Sequence, residues 1–96
     1  NKNVSIQNIV KTISDFYDIP EESIYEKTRR KEIVQARQLI MYILREDFNI
    51  SYPLIGQKLG GKDHTTVIHS CLKIKNELKE NAKVSRDLEQ LRSMFK

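Results

Sequence analysis

The spacing of the apolar residues limits what this chain can fold into more than any other feature. Apolar side chains recur every three or four residues along most of its length, beginning with Ile6, Ile9, Val10 and Ile13. This spacing places them on one face of an α-helix, whereas a half-buried strand would alternate at every second residue. No segment sustains such an alternation. We therefore predict an all-α fold of about six helices.

Cap and turn residues divide this pattern into separate helices. Ser5 and Ser51 are of a type that commonly caps a helix N-terminus, and Pro20 and Pro53 are tolerated in a first turn. The predicted helices span residues 6–17, 20–26, 32–48, 52–59, 64–79 and 85–95. The side chains predicted for the core of the longer helices are Ile33, Ala36, Leu39, Ile40, Ile43, Leu44, Phe48, Val67, Ile68, Cys71, Ile74, Leu78, Leu88, Leu91 and Phe95.

The composition is typical of one basic, soluble domain. The chain has 96 residues, 39% hydrophobic and 31% charged, so we predict a single domain over residues 1–96. It contains no run of about 18 apolar residues that would suggest a membrane span. The single cysteine cannot form an internal disulfide and is compatible with a reducing cytosol. The net charge of +4 suits an anionic partner such as nucleic acid.

Two glycines interrupt the pattern between the fourth and fifth predicted helices. Gly60 and Gly61 supply backbone angles that other residues adopt only at a cost. A short helix, a glycine turn and a longer helix form the outline of a helix-turn-helix, whose second helix enters the DNA major groove with its N-terminal end. The residues at that end are Lys62, Asp63, His64, Thr65 and Thr66.

These side chains suit contacts with DNA. The Asp63 carboxylate can accept a hydrogen bond from cytosine, and a threonine methyl can pack on a thymine methyl. Lys62 and the helix N-terminus favour phosphate. There is a plainer alternative, in which Asp63 serves only as an N-cap and the polar run only begins a helix. The residues alone leave both open.

A second candidate feature is the basic stretch KTRRKEIVQARQ, residues 27–38. It holds five basic residues and one glutamate, an excess equal to that of the whole chain. An arginine from such a loop can enter a narrow minor groove, where the negative potential is strongest. We expect Arg37 and Arg45 to share a helix face directed at phosphates. The alternative is a merely solvated, charged loop.

These residues together resemble one family. The stretch GGKDHTTVIHSCLKI, with ARQLIMYILRE upstream of it, is similar to the C-terminal DNA-binding domain of DnaA, the bacterial chromosomal replication initiator. The resemblance extends from about Ile6 to Met94. It implies a Trp-repressor-like helix-turn-helix that binds short asymmetric duplex sites, the DnaA boxes, in the bacterial cytoplasm.

The resemblance also implies roles for individual residues. Base contacts in the major groove fall on Asp63, His64 and Thr65, and the minor-groove arginine falls on Arg29, with Arg30 as the alternative. Contacts to the DNA backbone fall on Arg37, Gln38, Arg45, Pro53, Lys62, Thr66 and His69. Lys62 stands where many relatives have arginine, and Gln35 where relatives often have arginine too.

Cofactors and partners follow from the same resemblance. A full-length initiator has an AAA+ ATPase domain ahead of this one, but this chain has no GxxxxGK[ST] loop, so we expect no ATP binding, no metal and no other cofactor here. We expect a monomer that binds double-stranded DNA. Acidic phospholipids or regulators are expected as further contacts in the full-length protein.

Two other classes of function compete with DNA binding. Asp63, His64 and Thr65 superficially suggest an enzyme, yet adjacent side chains on a helix do not face one another, and no HExxH-type metal spacing occurs. A membrane-surface or protein-interaction module would use Lys73, Lys75 and Lys79 beside apolar residues. Such a module would bind duplex DNA without preferring any sequence.

Overall fold

A computed structural model describes residues 5–95, which form six helices and no strand. The helices are α1 (Ile6–Phe16), α2 (Glu21–Tyr25), α3 (Lys31–Glu46), α4 (Tyr52–Lys58), α5 (His64–Glu80) and α6 (Ala82–Met94). The all-α class and the number of helices are confirmed. The Ser5 and Ser51 hydroxyls accept backbone N–H groups at the starts of α1 and α4, as expected of N-caps.

Helix α3 lies at the centre of the domain. It packs against α1, α2, α4 and α5, and most extensively against α5. Because neighbours surround it, its buried residues exceed the single stripe of a surface helix. Met41, which the sequence analysis did not place in the core, is buried there. The buried apolar residues of α3 are Ile33, Ala36, Leu39, Ile40, Met41, Ile43 and Leu44.

Residues in the left-handed backbone conformation follow two of the helices and end them. Asp18 and Asn49 have φ of 57° and 56°, and they follow α1 and α3. The next residues, Ile19 and Ile50, donate their N–H groups to Ser14 and Leu44, which reverses the chain and places each isoleucine against the core. α3 therefore ends at Glu46, two residues before the predicted end, and Phe48 packs against the core from outside the helix.

Three further predictions need correction. Helix α6 begins at Ala82 rather than at residue 85, because the Asn81 side chain caps it by accepting the N–H groups of Lys83 and Val84. Pro20 is the N-cap of α2, not a residue of its first turn. Ile68 is only half-buried and lies outside the core, since one residue turns the helix about 100° away from the buried Val67.

Candidate nucleic-acid interface

The helix-turn-helix consists of α4, a turn over residues 59–63 and α5. Leu59 is fully buried and anchors the start of the turn. Gly60 and Gly61 follow with φ of 90° and 72°, angles that L side chains rarely adopt. The N–H of Lys62 then donates to the carbonyl of Gly56 at 2.7 Å, which ties the end of the turn back to α4.

Close backbone contacts hold this turn on two sides. A Cβ on Gly56 would collide with the carbonyl oxygen of Lys62, and a Cβ on Gly60 would collide with that of Tyr25. Around Gly61 there is open space, so only its φ demands glycine. The start of α5 is therefore positioned against both α4 and the end of α2.

Asp63 occupies the N-cap position of α5 but does not use its side chain as a cap. It makes no capping hydrogen bond, and one carboxylate oxygen lies 3.4 Å from His64 Nδ1. The Asp63 and His64 side chains are 69% and 57% exposed. The carboxylate is consequently free to accept a hydrogen bond from another molecule, which the plain N-cap interpretation did not foresee.

The first two turns of α5 present a polar face to solvent. Thr65, Thr66 and His69 are exposed, while Val67 and Ser70 on the opposite side of the helix are buried. The four residues expected at bases, Arg29 and Asp63 to Thr65, are all exposed. Pro53 is also exposed at the start of α4.

The loop between α2 and α3, residues 27–30, is the basic segment in the structure. Its described hydrogen bonds are local: the N–H of Arg30 donates to Thr28 Oγ1 at 3.3 Å, and Arg30 Nη2 to Glu32 at 2.8 Å. Among residues 5–95, Arg29 has no carboxylate within ion-pair distance. Arg29 lines two clefts, one shared with Gln38 and the other with the glycine turn. The two neighbouring arginines thus differ, one being paired and one unpaired.

Arg37 and Arg45 do not share one open face. Arg37 is 8% exposed, and its guanidinium donates to backbone carbonyls at the end of α2. Arg45 is half-buried; it donates to the carbonyl of Ile50 at 3.3 Å and lies over the Tyr52 ring at 4.4 Å. Each arginine therefore supports a different neighbouring element, and phosphate contact by either stays a prediction.

Four cationic side chains, those of Lys27, Arg29, Arg37 and Lys62, meet beside the glycine turn. They line a cleft of about 420 Å³ together with Thr28, Gly60 and Gly61. Burial lowers the pKa of Lys62, and the nearby charges of Arg37 and Lys27 lower it further. No carboxylate lines this cleft. Its uncompensated positive charge suits an anion. Sequence reasoning gave Lys27 no individual role, although its place in the basic run was the available signal.

A second groove runs between α3 and α5. Gln38 lines it with Arg29, and Gln35 Nε2 donates to Glu77 Oε1 at 3.3 Å. Lys73 pairs with Glu77 at 3.0 Å. Gln35 thus joins the two helices through a neutral hydrogen-bond donor.

Little in the described residues favours other chemistry. Burial raises the pKa of the Cys71 thiol to about 11, so it stays protonated and unreactive at neutral pH. Residues 5–95 contain no group of three or more His, Cys, Asp or Glu side chains able to hold a metal ion. None of their helices is long and apolar enough to cross a membrane.

Comparison with known proteins gave a consistent set of similarities. The profile described as "Bacterial dnaA protein helix-turn-helix" matches residues 6–74. The chromosomal replication initiator protein DnaA of Limosilactobacillus reuteri (strain DSM 20016) is 43% identical over 93 residues, covering 97% of this chain and 21% of that protein. Its namesake in Burkholderia multivorans is 40% identical over 96 residues, covering 100% of this chain and 18% of that protein. The chain thus spans about a fifth of the length of these relatives.

Proposed function

Because the chain belongs to the bacterial DnaA helix-turn-helix family, a family of DNA-binding domains, we propose that it binds DnaA boxes at a replication origin. It would read each box through two grooves of one duplex. The N-terminal end of α5 would enter the major groove, and Arg29 would enter the adjacent minor groove. In the full-length protein, an AAA+ domain would bind ATP, and this domain would recognise the DnaA box.

The observation that carries this proposal is the unused Asp63 carboxylate. The side chain of a structural N-cap would accept an N–H of its own helix, but the Asp63 carboxylate makes no such bond and is exposed. Major-groove cytosine offers an amino group to a carboxylate, and a neighbouring threonine can contact a base or a phosphate. We propose Asp63, His64 and Thr65 as the major-groove base contacts.

The ion pairs favour Arg29 over Arg30 as the minor-groove arginine. Arg30 is paired with Glu32, so moving it into DNA would break a charge-assisted hydrogen bond. Arg29 has no such bond to lose within the described residues and is exposed. Insertion of Arg29 would therefore leave the ion pair of its neighbour in place.

Contacts with the DNA backbone would come from residues around the base-reading groups. Lys62 and Arg37 line the basic cleft, and Gln38 lies in the adjoining groove. Thr66 lies in the first turn of α5 and His69 in the second. We include Pro53 and Arg45 at the α4 side. A positively charged cleft beside a helix N-terminus is well suited to phosphate. These contacts would position the domain without reading sequence.

We propose a binding function and not catalysis for this domain. The Asp63 and His64 side chains approach each other to 3.4 Å, but among the described residues no hydroxyl or thiol is hydrogen-bonded to either, so no nucleophile is paired with a base there. A cofactor is not needed for hydrogen bonds to base edges. We also propose that the isolated domain is monomeric, in keeping with an asymmetric box.

A salt titration with two labelled duplexes tests the proposal. One duplex carries a DnaA box, and the other has the same base composition in scrambled order. We expect a preference of about a thousandfold for the box, within the usual range of specific binders. The affinity for both should fall with rising salt as phosphate contacts are screened.

A matched pair of variants makes the experiment sharper. Thr65→Ala should weaken binding to the box duplex and change binding to the scrambled duplex little. Arg45→Ala should weaken binding to both duplexes and reduce the dependence of affinity on salt. Equal, strongly salt-dependent binding of both duplexes by the unmodified domain would leave only phosphate contact and overturn the proposed function.

A further inference from the structure

Arg37 holds the C-terminal end of α2. Its Nε donates to the carbonyl of Ile24 at 2.8 Å, and its Nη2 donates to those of Ser23 and Glu26 at 3.3 and 2.7 Å. The last carbonyls of a helix lack partners within that helix. A planar guanidinium can meet several of them at once, which a lysine ammonium cannot do in the same geometry. This buried arginine therefore fixes where the chain leaves α2.

The glycine turn meets the same end of α2 from another side. Gly60 lies so close to the carbonyl oxygen of Tyr25 that a Cβ there would collide with it. Four successive carbonyls, of residues 23–26, are thus contacted by Arg37 or by the turn. The end of α2 is consequently the junction between the basic segment, which begins at Lys27, and the turn that leads into α5.

The basic segment has few contacts that could position it independently. The hydrogen bonds described for residues 27–30 are all local, since they join the segment to itself or to the first turn of α3. Its place relative to α5 therefore depends on its two ends, at Glu26 and Lys31. Arg37 controls the first of these ends.

We infer that Arg37 is a positioning residue that sets the distance between Arg29 and the start of α5, so that one duplex can meet both at once. This inference rests on the proposed function. A phosphate contact would require only a positive charge at position 37. Positioning requires the fork of hydrogen bonds, so the two roles respond differently to substitution by lysine.

The test is Arg37→Lys measured alone and combined with Arg29→Ala. The single variant keeps the charge and should lose about tenfold or more in binding to the box duplex, with a smaller change on the scrambled duplex. In the double variant, Arg29→Ala should cost much less than it does in the unmodified domain, because Arg29 is already misplaced. Circular dichroism confirms that each variant is folded.

Arg45→Lys provides the matched control, since Arg45 is a half-buried arginine on the same helix whose hydrogen bond and ring contact are with Ile50 and Tyr52. Its effect should simply add to that of Arg29→Ala. Box binding by Arg37→Lys equal to that of the unmodified domain, or an additive effect of Arg29→Ala in that background, would overturn the inference alone. An unmodified domain with no box preference would overturn the proposed function and the inference with it.

A measurement on the unmodified domain decides the matter if Arg37→Lys does not fold. The Arg37 Nε–H signal in nuclear magnetic resonance should exchange slowly with solvent in the free protein and shift little when box DNA is added, since Ile24 remains its acceptor. Exchange as rapid as that of Arg29, with a large shift on DNA binding, would show that Nε leaves Ile24 for phosphate and that Arg37 is not a fixed support. A phosphate contact through Nη1, which makes none of the three hydrogen bonds, would leave them intact.

Discussion

The glycine turn and the basic segment both lead into a long helix, yet they are held in different ways. In the turn over residues 59–63, Leu59 is fully buried and the backbone packs closely against Tyr25 and Gly56. In the segment over residues 27–30, the side chains are mostly exposed and the hydrogen bonds are local. One region is defined by packing of the backbone and the other by its ends and its charge.

This difference separates stability from binding. Where backbone atoms are in close contact, an added methyl group strains the whole domain. Where side chains extend into solvent, a substitution changes what the surface attracts and leaves the fold almost unchanged. We therefore expect variants of the turn to alter the free energy of unfolding and variants of the segment to alter affinity for DNA.

The largest effect should come from Gly60→Ala. The new Cβ would collide with the carbonyl of Tyr25 and would also be strained at a φ of 90°. We expect a loss of about 2 to 4 kcal/mol in the free energy of unfolding, measured by urea denaturation. Gly61→Ala is the control, because it has a similar φ and open space; it should lose only about 1 to 2 kcal/mol. Equal losses would mean that backbone angle and not packing holds the turn.

Asp63→Ala should affect binding far more than stability. We expect a loss of about 1 to 3 kcal/mol on the box duplex, with little change on the scrambled one. Its free energy of unfolding should change by less than about 0.5 kcal/mol, since no capping bond is lost. Asn81→Ala removes a real cap from α6 and should cost about 1 kcal/mol of stability. A similar stability loss for both variants would show that the Asp63 side chain acts as the N-cap of α5.

The two arginines of the basic segment should behave differently. Arg29→Ala should weaken box binding by about 1 to 2 kcal/mol, because it removes the proposed minor-groove side chain. Arg30→Ala should cost less than about 0.5 kcal/mol, since its charge is already paired with Glu32. Fluorescence anisotropy with the two labelled duplexes measures both. The reverse order would make Arg30 the inserted residue.

The smallest effect should come from Glu32→Gln. A backbone hydrogen bond and the adjacent Arg30 hold the pKa of the Glu32 carboxyl below its usual range, so the pair persists at neutral pH. Any stability this depressed pKa contributes is present above the unfolded pKa and is lost as the pH falls through the folded one. We expect no detectable change in Tm at neutral pH and slightly tighter binding to both duplexes. A marked drop in Tm would show that the segment is held by more than its ends.

Much of the fold followed from local sequence signals. Apolar spacing and serine caps predicted the six helices, because those signals act within one or two turns of chain. The predictions failed where the deciding contact was less visible. The Asn81 cap of α6 was overlooked because it lies outside the apolar pattern. Helix α3 ended earlier than predicted because Asn49, although it is not a glycine, adopts a left-handed backbone conformation that reverses the chain. Ile68 shows that an apolar residue near a buried stripe need not lie in it.

The candidate site divides in the same way. The order of residues by itself determined that a polar, basic helix start follows a glycine turn and that a basic run precedes a long helix. Only the tertiary structure decided that the Asp63 carboxylate is free, that Arg30 is paired while Arg29 is not, and that Arg37 supports the end of α2. The reason is physical. Charge and helix propensity depend on neighbours in sequence, whereas a hydrogen bond depends on which donor and acceptor atoms folding brings within about 3 Å of each other.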